Sequence, residues 1–158
     1  MNTASPTSFR TAAVIVAAGA GLRAGQPLPK QFALWQGRPV VRHSAEAFAA
    51  AGISPIVVVI PHGADALAAD CLVGVPGVRL IEGGATRQAS VRNALEALAT
   101  DSPDQVLVHD AARPLLPGEV IARVLAALAV HPAAIPVLPV VDSLAAADGD
   151  VMGEPARR

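Results

Sequence analysis

The sequence has little cysteine and few aromatic residues: its 158 residues include three Phe, one Trp, no Tyr and one cysteine, Cys71. A single cysteine excludes a disulfide within the chain, and we expect Cys71 to be a small buried apolar residue rather than a reactive thiol. The apolar 53% of the sequence consists mostly of Ala, Val, Leu and Ile. Such an aliphatic composition favours layers of helix and sheet over an aromatic-rich β-sandwich.

The sequence also lacks blocks of basic charge and long hydrophobic runs. Its formal net charge is −1, and its twelve Lys and Arg form no dense block of the kind that binds duplex nucleic acid. No stretch reaches the ~18 uninterrupted apolar residues that span a bilayer. The run from Thr11 to Leu22 imitates a secretory signal, but two glycines interrupt it and only Arg10 supplies positive charge before it. We therefore expect a soluble cytoplasmic protein that binds neither nucleic acid nor membranes.

The hydrophobic pattern predicts an α/β fold. Residues 1–10 are predicted to be a flexible tail, and residues 11–158 a single domain. Strands are predicted at Ala12–Ala17, Ile56–Ile60, Val78–Ile81, Val106–His109 and Ala133–Val141, and helices at Pro39–Ala51, Ala64–Leu72, Thr86–Ala99 and Pro117–Val130. The inner face of the third helix is predicted to carry Val91, Ala94, Leu95 and Leu98. The alternation predicts three layers: an open, mostly parallel sheet with helices on both faces and ligands beyond the carboxyl ends of its strands.

A Gly-rich segment follows the first predicted strand, reading Ala17-Ala18-Gly19-Ala20-Gly21-Leu22-Arg23, and Pro29-Lys30 closes it. Glycines let backbone N–H groups approach phosphate oxygens, and Arg23 and Lys30 can neutralise the charge on those oxygens. The segment is not a P-loop, because no Gly-Lys-Ser/Thr follows, and not a dinucleotide fingerprint, because it breaks on prolines and opens no helix. A Gly-x-Gly alone is more often a structural turn, but the added cations favour a polyphosphate-binding loop.

A glycine pair, Gly83-Gly84, leads from the third predicted strand into a helix. Helix N-termini offer unpaired N–H donors and favour anions, so Gly84 and Ser90 are candidates for holding the edge of a base or a ribose. The alternative is a plain strand-to-helix turn in which Thr86 is the N-cap.

The segment His109-Asp110-Ala111-Ala112-Arg113 follows the fourth predicted strand. Asp110 would face the Gly-rich loop, where Mg²⁺ bridging triphosphate oxygens needs a carboxylate ligand. Arg113 would orient a phosphate of a second substrate, whereas His109 is expected to pack or to form a hydrogen bond. An aspartate turn with a neighbouring arginine is the alternative, and Asp142-Ser143, taken alone, is typical of a turn.

In their order and separation, the motifs A-A-G-x-G-x-R with P-K, G-G-x-x-R-x-x-S and L-V-H-D-A-A-R-P resemble the 2-C-methyl-D-erythritol 4-phosphate cytidylyltransferase family of the non-mevalonate isoprenoid pathway. The resemblance extends from Ala12 to Ser143. It implies a Rossmann-like, GT-A-like nucleotidyltransferase fold and the transfer of CMP from CTP to methylerythritol 4-phosphate, with release of pyrophosphate. It also implies Mg²⁺ as cofactor and a homodimer in the full-length form.

The resemblance assigns roles to individual residues. Arg23 and Lys30 would stabilise the charge that develops as the substrate phosphate attacks the α-phosphorus of CTP. Asp110 would bind magnesium and the second substrate, and Arg113 and Ser143 would help to bind methylerythritol phosphate. The nucleotide-binding set would be Ala17, Ala18, Gly19, Ala20, Gly21, Gly84, Ala85, Ser90 and Asp110.

Two features depart from the family pattern. Position 85 is Ala where family members often have Asp, so a contact with the base there would come from the backbone. The chain is also shorter than the family domain, so we expect its C-terminal part to be missing and the 158-residue form to have weak or no activity. The alternatives are a ribitol 5-phosphate cytidylyltransferase, which shares the loop motifs, and a CTP-binding but inactive fragment or part of a bifunctional fusion.

Overall fold

A computed structural model describes residues 9–19, 28–139 and 144–156. The elements in chain order are β1 (Thr11–Val16), β2 (Leu34–Trp35), β3 (Arg38–Pro39), α1 (Val40–Ala50), β4 (Ile56–Ile60), α2 (Asp65–Leu72), β5 (Val78–Glu82), α3 (Arg87–Leu98), β6 (Gln105–Asp110), α4 (Gly118–Leu128), β7 (Leu144–Asp148) and β8 (Val151–Ala156). Four strands form a parallel sheet in the order β5-β4-β1-β6. The pairs β2–β3 and β7–β8 are antiparallel and separate from that sheet. Within the part of the chain that is described, no helix is long and apolar enough to cross a bilayer.

The two central strands are buried on both faces, as short β-branched runs without alternation predict. All five residues of β4 and four of the six residues of β1 are buried. The two strands pair in register from Ala13 opposite Ile56 to Val16 opposite Val59. The centre of the sheet therefore gives firm support to the loops that follow the carboxyl ends of these strands.

Helices cover both faces of the sheet, which confirms the predicted fold class. On one face the core contains Phe48 of α1, Leu72 of α2 and Ile121 of α4. Cys71 is buried in this core, as predicted, and burial raises the pKa of its thiol. On the opposite face α3 packs through Ala94 and Leu98 against the sheet.

The order of the strands determines where a ligand can bind. The chain proceeds outward from β1 to β4 and β5, and then returns through α3 to place β6 on the other side of β1. The direction of winding therefore reverses between β1 and β6, and the loops that leave these strands diverge. A crevice at such a reversal, beyond the carboxyl ends of the strands, is the usual ligand site of an open α/β sheet.

The predicted strand at Ala133–Val141 is wrong for residues 133–139, which form neither strand nor helix, whereas residues 140 and 141 lie outside the described ranges. The reason is that Pro136 and Pro139 have no N–H to donate to a neighbouring strand. The β7–β8 hairpin was not predicted, because β7 is rich in alanine and lacks the β-branched residues that identify strands.

Two smaller expectations also need correction. Leu95 was assigned to the inner face of α3 but is 44% exposed, because the buried residues of that helix recur every four residues at Ser90, Ala94 and Leu98. Arg10 was assigned to a flexible tail, but its backbone N–H donates to the Asp104 carboxylate at 2.8 Å and its carbonyl accepts from the Asp104 N–H at 2.8 Å. Arg10 is therefore held against the β6 side of the sheet and is not a flexible residue.

Candidate functional site

A cleft of about 410 Å³ lies at the carboxyl ends of β1 and β6 and beside the turn that follows β5. Its volume is within the range of pockets that bind small molecules. The cleft brings together residues from all three sequence motifs, although these lie far apart in the chain. Its lining consists of Val16, Ala17, Ala18, Gly19, Lys30, Gln31, Gly84, Ala85, Thr86, Arg87, Ser90, Asp110, Ala111 and Ala112. Of the other predicted site residues, Ala20, Gly21, Arg23 and Ser143 lie outside the described ranges, and Arg113 is close to Asp110 but is not part of the lining.

Ala17, Ala18 and Gly19 follow β1 directly and are called the β1 exit here. Together with the turn that carries Lys30 they form one wall of the cleft. The Ala17 N–H donates to the Val59 carbonyl at 2.8 Å, so the sheet pairing extends one residue beyond β1. The Phe32 N–H donates to the Pro29 carbonyl at 2.9 Å and closes a turn around Lys30. Lys30 itself is exposed at the edge of the cleft. Its ammonium group is therefore available to an anion that binds along the β1 exit.

The turn between β5 and α3 forms the opposite wall. Thr86 is the N-cap of α3, as predicted, and its hydroxyl accepts a hydrogen bond from the Ala89 N–H at 3.0 Å. The buried Ser90 hydroxyl donates to the Thr86 carbonyl at 2.9 Å and accepts from the Gly84 N–H at 3.1 Å. These bonds shape the turn so that the positive end of the α3 dipole faces the cleft.

Gly83 brings the β5–α3 turn close to the end of β1. A Cβ atom at this position would overlap the Ala18 side chain and would lie 2.9 Å from the Ser90 Oγ and 3.3 Å from Val59 Cγ1. Only a glycine allows this approach, because the neighbours that a methyl group would meet include the β1 exit and the core of the sheet. Gly83 therefore keeps the two walls of the cleft at their present separation.

Replacing Gly83 with alanine is expected to lower the free energy of unfolding by roughly 1–3 kcal/mol, as other overpacked sites do. Urea denaturation of both proteins would measure the change. Gly118→Ala is the matched control, because nothing lies within 4 Å of a Cβ atom there and the residue begins α4. A Gly83→Ala protein as stable as the Gly118→Ala protein would show that the two walls are not in close contact.

Asp110 lies between two arginines at the end of β6. Its Oδ1 accepts from the Arg87 Nε at 3.0 Å and Nη2 at 2.9 Å, and its Oδ2 lies 3.9 Å from the Arg113 Nε. Arg87, at the first position of α3, lies next to the N-terminal end of the helix dipole, where a positive charge is unfavourable. Lys30, Arg87 and this helix end outweigh the single charge of Asp110, so the described lining of the cleft favours a multiply charged anion.

The sequence motifs contained Arg87 but did not assign it a role. The available signal was its position in the first turn of a helix that follows a glycine pair, where a basic residue needs a separate reason. Its partner Asp110 is 23 residues away in the sequence. The pairing therefore depends on the strand order, which local pattern does not give.

His109 supports the segment that holds Asp110 and Arg113. Its ring packs edge-on against Phe48 with centroids 5.9 Å apart, and its Nε2 lies 2.9 Å from the Arg113 carbonyl. A neutral ring with its proton on Nε2 donates to this carbonyl. Burial lowers the pKa of His109 below its usual value, although the bond to the Arg113 backbone opposes this effect. These contacts confirm that His109 packs and forms a hydrogen bond.

The lowered pKa of His109 predicts that protonation of this ring destabilises the folded state. The folded protein binds this proton less readily than the unfolded chain does. The contribution of His109 to the free energy of unfolding is therefore complete above the pKa of the unfolded chain, near 6.5, and is lost as the pH falls below it. His109→Gln should therefore lose less stability than the unsubstituted protein between pH 7.5 and pH 5. Urea denaturation at both pH values, with the exposed His131→Gln as control, would measure it. An equal loss in all three proteins would contradict the assignment.

The cleft fits a magnesium ion that is held mainly by a ligand. In the described ranges no group of three or more His, Cys, Asp or Glu side chains is placed to hold a metal by protein ligands alone. Asp110 provides one hard carboxylate at the cleft, and Mg²⁺ commonly uses one or two carboxylates together with substrate phosphates. The donor set is therefore suited to an ion that enters with a polyphosphate.

The sequence of the chain is similar to those of a known protein family and its members. A family model described as "IspD: 2-C-methyl-D-erythritol 4-phosphate cytidylyltransferase" matches residues 11–158. A "Bifunctional enzyme IspD/IspF" of Novosphingobium aromaticivorans is 59% identical over 93% of this chain and 38% of its own length. A "2-C-methyl-D-erythritol 4-phosphate cytidylyltransferase" of Cereibacter sphaeroides is 55% identical over 88% of this chain and 63% of its own length.

A solved structure shows the same relationship. The crystal structure of 2-C-methyl-D-erythritol 4-phosphate cytidylyltransferase from Thermus thermophilus is 36% identical, with a TM-score of 0.71 over 93% of this chain and 64% of that one. The chain thus spans about two fifths of the bifunctional relative and somewhat less than two thirds of the other two proteins.

Proposed function

Because the chain belongs to the 2-C-methyl-D-erythritol 4-phosphate cytidylyltransferase family, we propose that its cleft binds the triphosphate of CTP and serves the transfer of CMP to 2-C-methyl-D-erythritol 4-phosphate. The products are 4-diphosphocytidyl-2-C-methyl-D-erythritol and pyrophosphate. Residues 11–158 would belong to a single nucleotidyltransferase domain.

One observation carries this proposal. The β1 exit, the exposed Lys30, and the N-terminus of α3 with Arg87 converge on one cleft, at the point where the winding of the sheet reverses. Backbone amides, a helix N-terminus and two cations are the groups that bind a polyphosphate in proteins. The N-terminus of α3 is dozens of residues away from the other two segments in the sequence, so a chance turn at a strand end would not produce this convergence.

The proposed reaction is an in-line displacement at phosphorus. A phosphate oxygen of methylerythritol phosphate forms a bond to the α-phosphorus of CTP, and the bond from that phosphorus to the pyrophosphate oxygen breaks. Arg23 and Lys30 stabilise the negative charge that develops on the α-phosphoryl oxygens, so no nucleophile from the protein is required. Groups of this kind act most effectively when they are held in place before the transfer, because little reorganisation then accompanies it.

The remaining roles concern the substrates. The residues that follow β1, which are Ala17, Ala18, Gly19, Ala20 and Gly21, would contact the triphosphate. Gly84, Ala85 and Ser90 would line the cytosine pocket. Because the Ser90 hydroxyl already bonds within the turn, much of the base contact there would come from the backbone. Arg113 and Ser143 would bind the phosphate and the polyol of the second substrate, with Asp110 between the two substrates.

Three further properties are proposed with the activity. Mg²⁺ would be held by Asp110 and the triphosphate, and when bound it would neutralise phosphate charge. A homodimer is proposed for the full-length family domain, because the described part of β7–β8 is largely exposed and a lone two-stranded hairpin is marginally stable in water. A cytoplasmic location is proposed because CTP is available there.

Pyrophosphate release would test the proposal. The assay would use CTP and Mg²⁺ with either methylerythritol 4-phosphate or ribitol 5-phosphate, on this chain and on a longer form that contains it. We expect turnover with methylerythritol phosphate by a form as long as the single-function relatives, of which this chain spans less than two thirds. A preference for ribitol phosphate would reject the acceptor, and a failure of both forms to bind CTP would reject the proposal.

A further inference from the structure

We propose that Gln31 is a positioning residue that sets the geometry of the phosphate-binding wall of the cleft, through its side-chain amide and not through contact with the ligand. This inference rests on the proposed function, because it concerns how the same cleft holds a polyphosphate. It adds a residue to which neither the motifs nor the family resemblance assigned a role.

The environment of Gln31 is unusual for a glutamine next to a ligand cleft. The residue is only 3% exposed, and it is one of three buried polar residues, with Ser44 and Ser90, in the described chain. Its Nε2 donates to the Ala17 carbonyl at 2.6 Å and to the Gly19 carbonyl at 2.8 Å. Both hydrogens of the Gln31 side-chain amide thus donate to carbonyls of the β1 exit.

These two bonds orient the backbone of the β1 exit. In a trans peptide the carbonyl and the following N–H point in opposite directions. When Gln31 holds the Ala17 carbonyl, the N–H group of the same peptide, which belongs to Ala18, is turned to the other side. Gln31 thereby keeps this amide donor available, whereas without the bond the peptide would be free to rotate it away from an anion.

Gln31 also couples the β1 exit to Lys30. The two residues are adjacent in the turn, and the Gln31 carbonyl accepts from the Val41 N–H of α1 at 2.8 Å. The side chain therefore connects the β1 exit to a turn that is itself fixed to a core helix. A lysine side chain is flexible, but the position of its backbone limits which phosphate oxygens the ammonium group can reach.

Two near-isosteric variants separate this role from a general contribution to folding. Gln31→Met keeps the size of the side chain but removes both donors. Gln31→Glu also removes the donors and places a carboxylate beside two carbonyl oxygens. Burial raises the pKa of such a carboxyl group, so lowering the pH returns a proton that can donate one of the two bonds. Gln36→Glu is the matched control, because Gln36 is exposed in the turn between β2 and β3.

The probe is inorganic tripolyphosphate without metal, and its binding is measured by calorimetry at pH 8 and pH 5.5. We expect Gln31→Met and Gln31→Glu to bind it at least about tenfold more weakly than the unsubstituted chain at pH 8, since two hydrogen bonds are lost. At pH 5.5 the deficit of Gln31→Glu should shrink, whereas that of Gln31→Met should not. The charged groups Lys30, Arg87 and Asp110 and the tripolyphosphate itself are the same in all the measurements at one pH, so the ratios compare the variants alone. Gln36→Glu should bind like the unsubstituted chain.

The outcomes distinguish this inference from the proposed function. Thermal unfolding identifies a temperature at which each variant is folded, and Gln31→Met carries the comparison if Gln31→Glu does not fold. Folded variants that bind tripolyphosphate as tightly as the unsubstituted chain would overturn the positioning role and leave the proposed function intact. An unsubstituted chain that binds neither tripolyphosphate nor CTP would overturn the proposed function, and the inference with it.

Discussion

Replacing Lys30 with alanine is expected to lower kcat by roughly 100- to 1,000-fold, the usual effect of removing a preorganised donor to a developing charge. CTP binding should weaken by only about tenfold, because the ground-state triphosphate also contacts backbone amides and other cations. The larger effect on turnover follows from the charge that appears on the α-phosphoryl oxygens only as the new bond forms. Steady-state kinetics and calorimetry on a form that turns over would measure both values.

Two controls accompany the Lys30 variant. Lys30→Arg keeps the positive charge and should recover part of the rate, although the planar guanidinium does not reproduce the position of an ammonium group. Arg123→Ala removes an exposed positive charge from α4, away from the cleft, and should leave both parameters unchanged. Equal losses of kcat and of CTP affinity in Lys30→Ala would show that Lys30 binds the nucleotide without acting on the transition state.

Replacing Asp110 with asparagine is expected to change turnover and phosphate binding in opposite directions. Turnover should fall by roughly 100-fold or more, because the carboxylate proposed to hold Mg²⁺ and to meet the second substrate is lost. Metal-free tripolyphosphate should bind roughly threefold more tightly, because one negative charge is removed from the cleft and Arg87 no longer pairs with it. Raising the Mg²⁺ concentration should restore part of the lost turnover.

Asp70→Asn is the matched control for this prediction. Asp70 is exposed on α2 and is not part of the cleft, so the same change of charge there should alter neither turnover nor tripolyphosphate binding. If Asp110→Asn weakened the binding of metal-free tripolyphosphate, then Asp110 would be organising the arginines and not repelling the anion. The proposed balance of charge in the cleft would then be wrong.

Much of the fold could be predicted because the decisive signals are local. The run Ile56–Ile60 is apolar at every position, as a strand buried on both faces must be, and the structure has the same bounds. Thr86 was predicted as an N-cap from its position alone and caps α3. The strand prediction was wrong for residues 133–139. Their apolar content suggested a strand, but their prolines lack the N–H donors that a strand needs.

The candidate site was predictable in outline for a different reason. Glycines and cations that follow strands are visible in sequence, and a parallel sheet collects strand ends at one edge, so the three motifs were expected to meet. The contacts between them were not visible. The bond from Arg87 to Asp110 depends on the strand order, and the bond from Gln31 to the β1 exit depends on the path of a turn. The spacing of residues in the sequence predicts neither.

The central claim is that the segment from the β1 exit to Lys30 binds a triphosphate through backbone amides and cations. A crystal of the protein soaked with CTP and Mg²⁺ tests it most directly. The account predicts density for the triphosphate against Ala17 to Gly19 and within hydrogen-bonding distance of the Lys30 ammonium. Nucleotide bound at another surface, with this segment in contact with solvent alone, would contradict it.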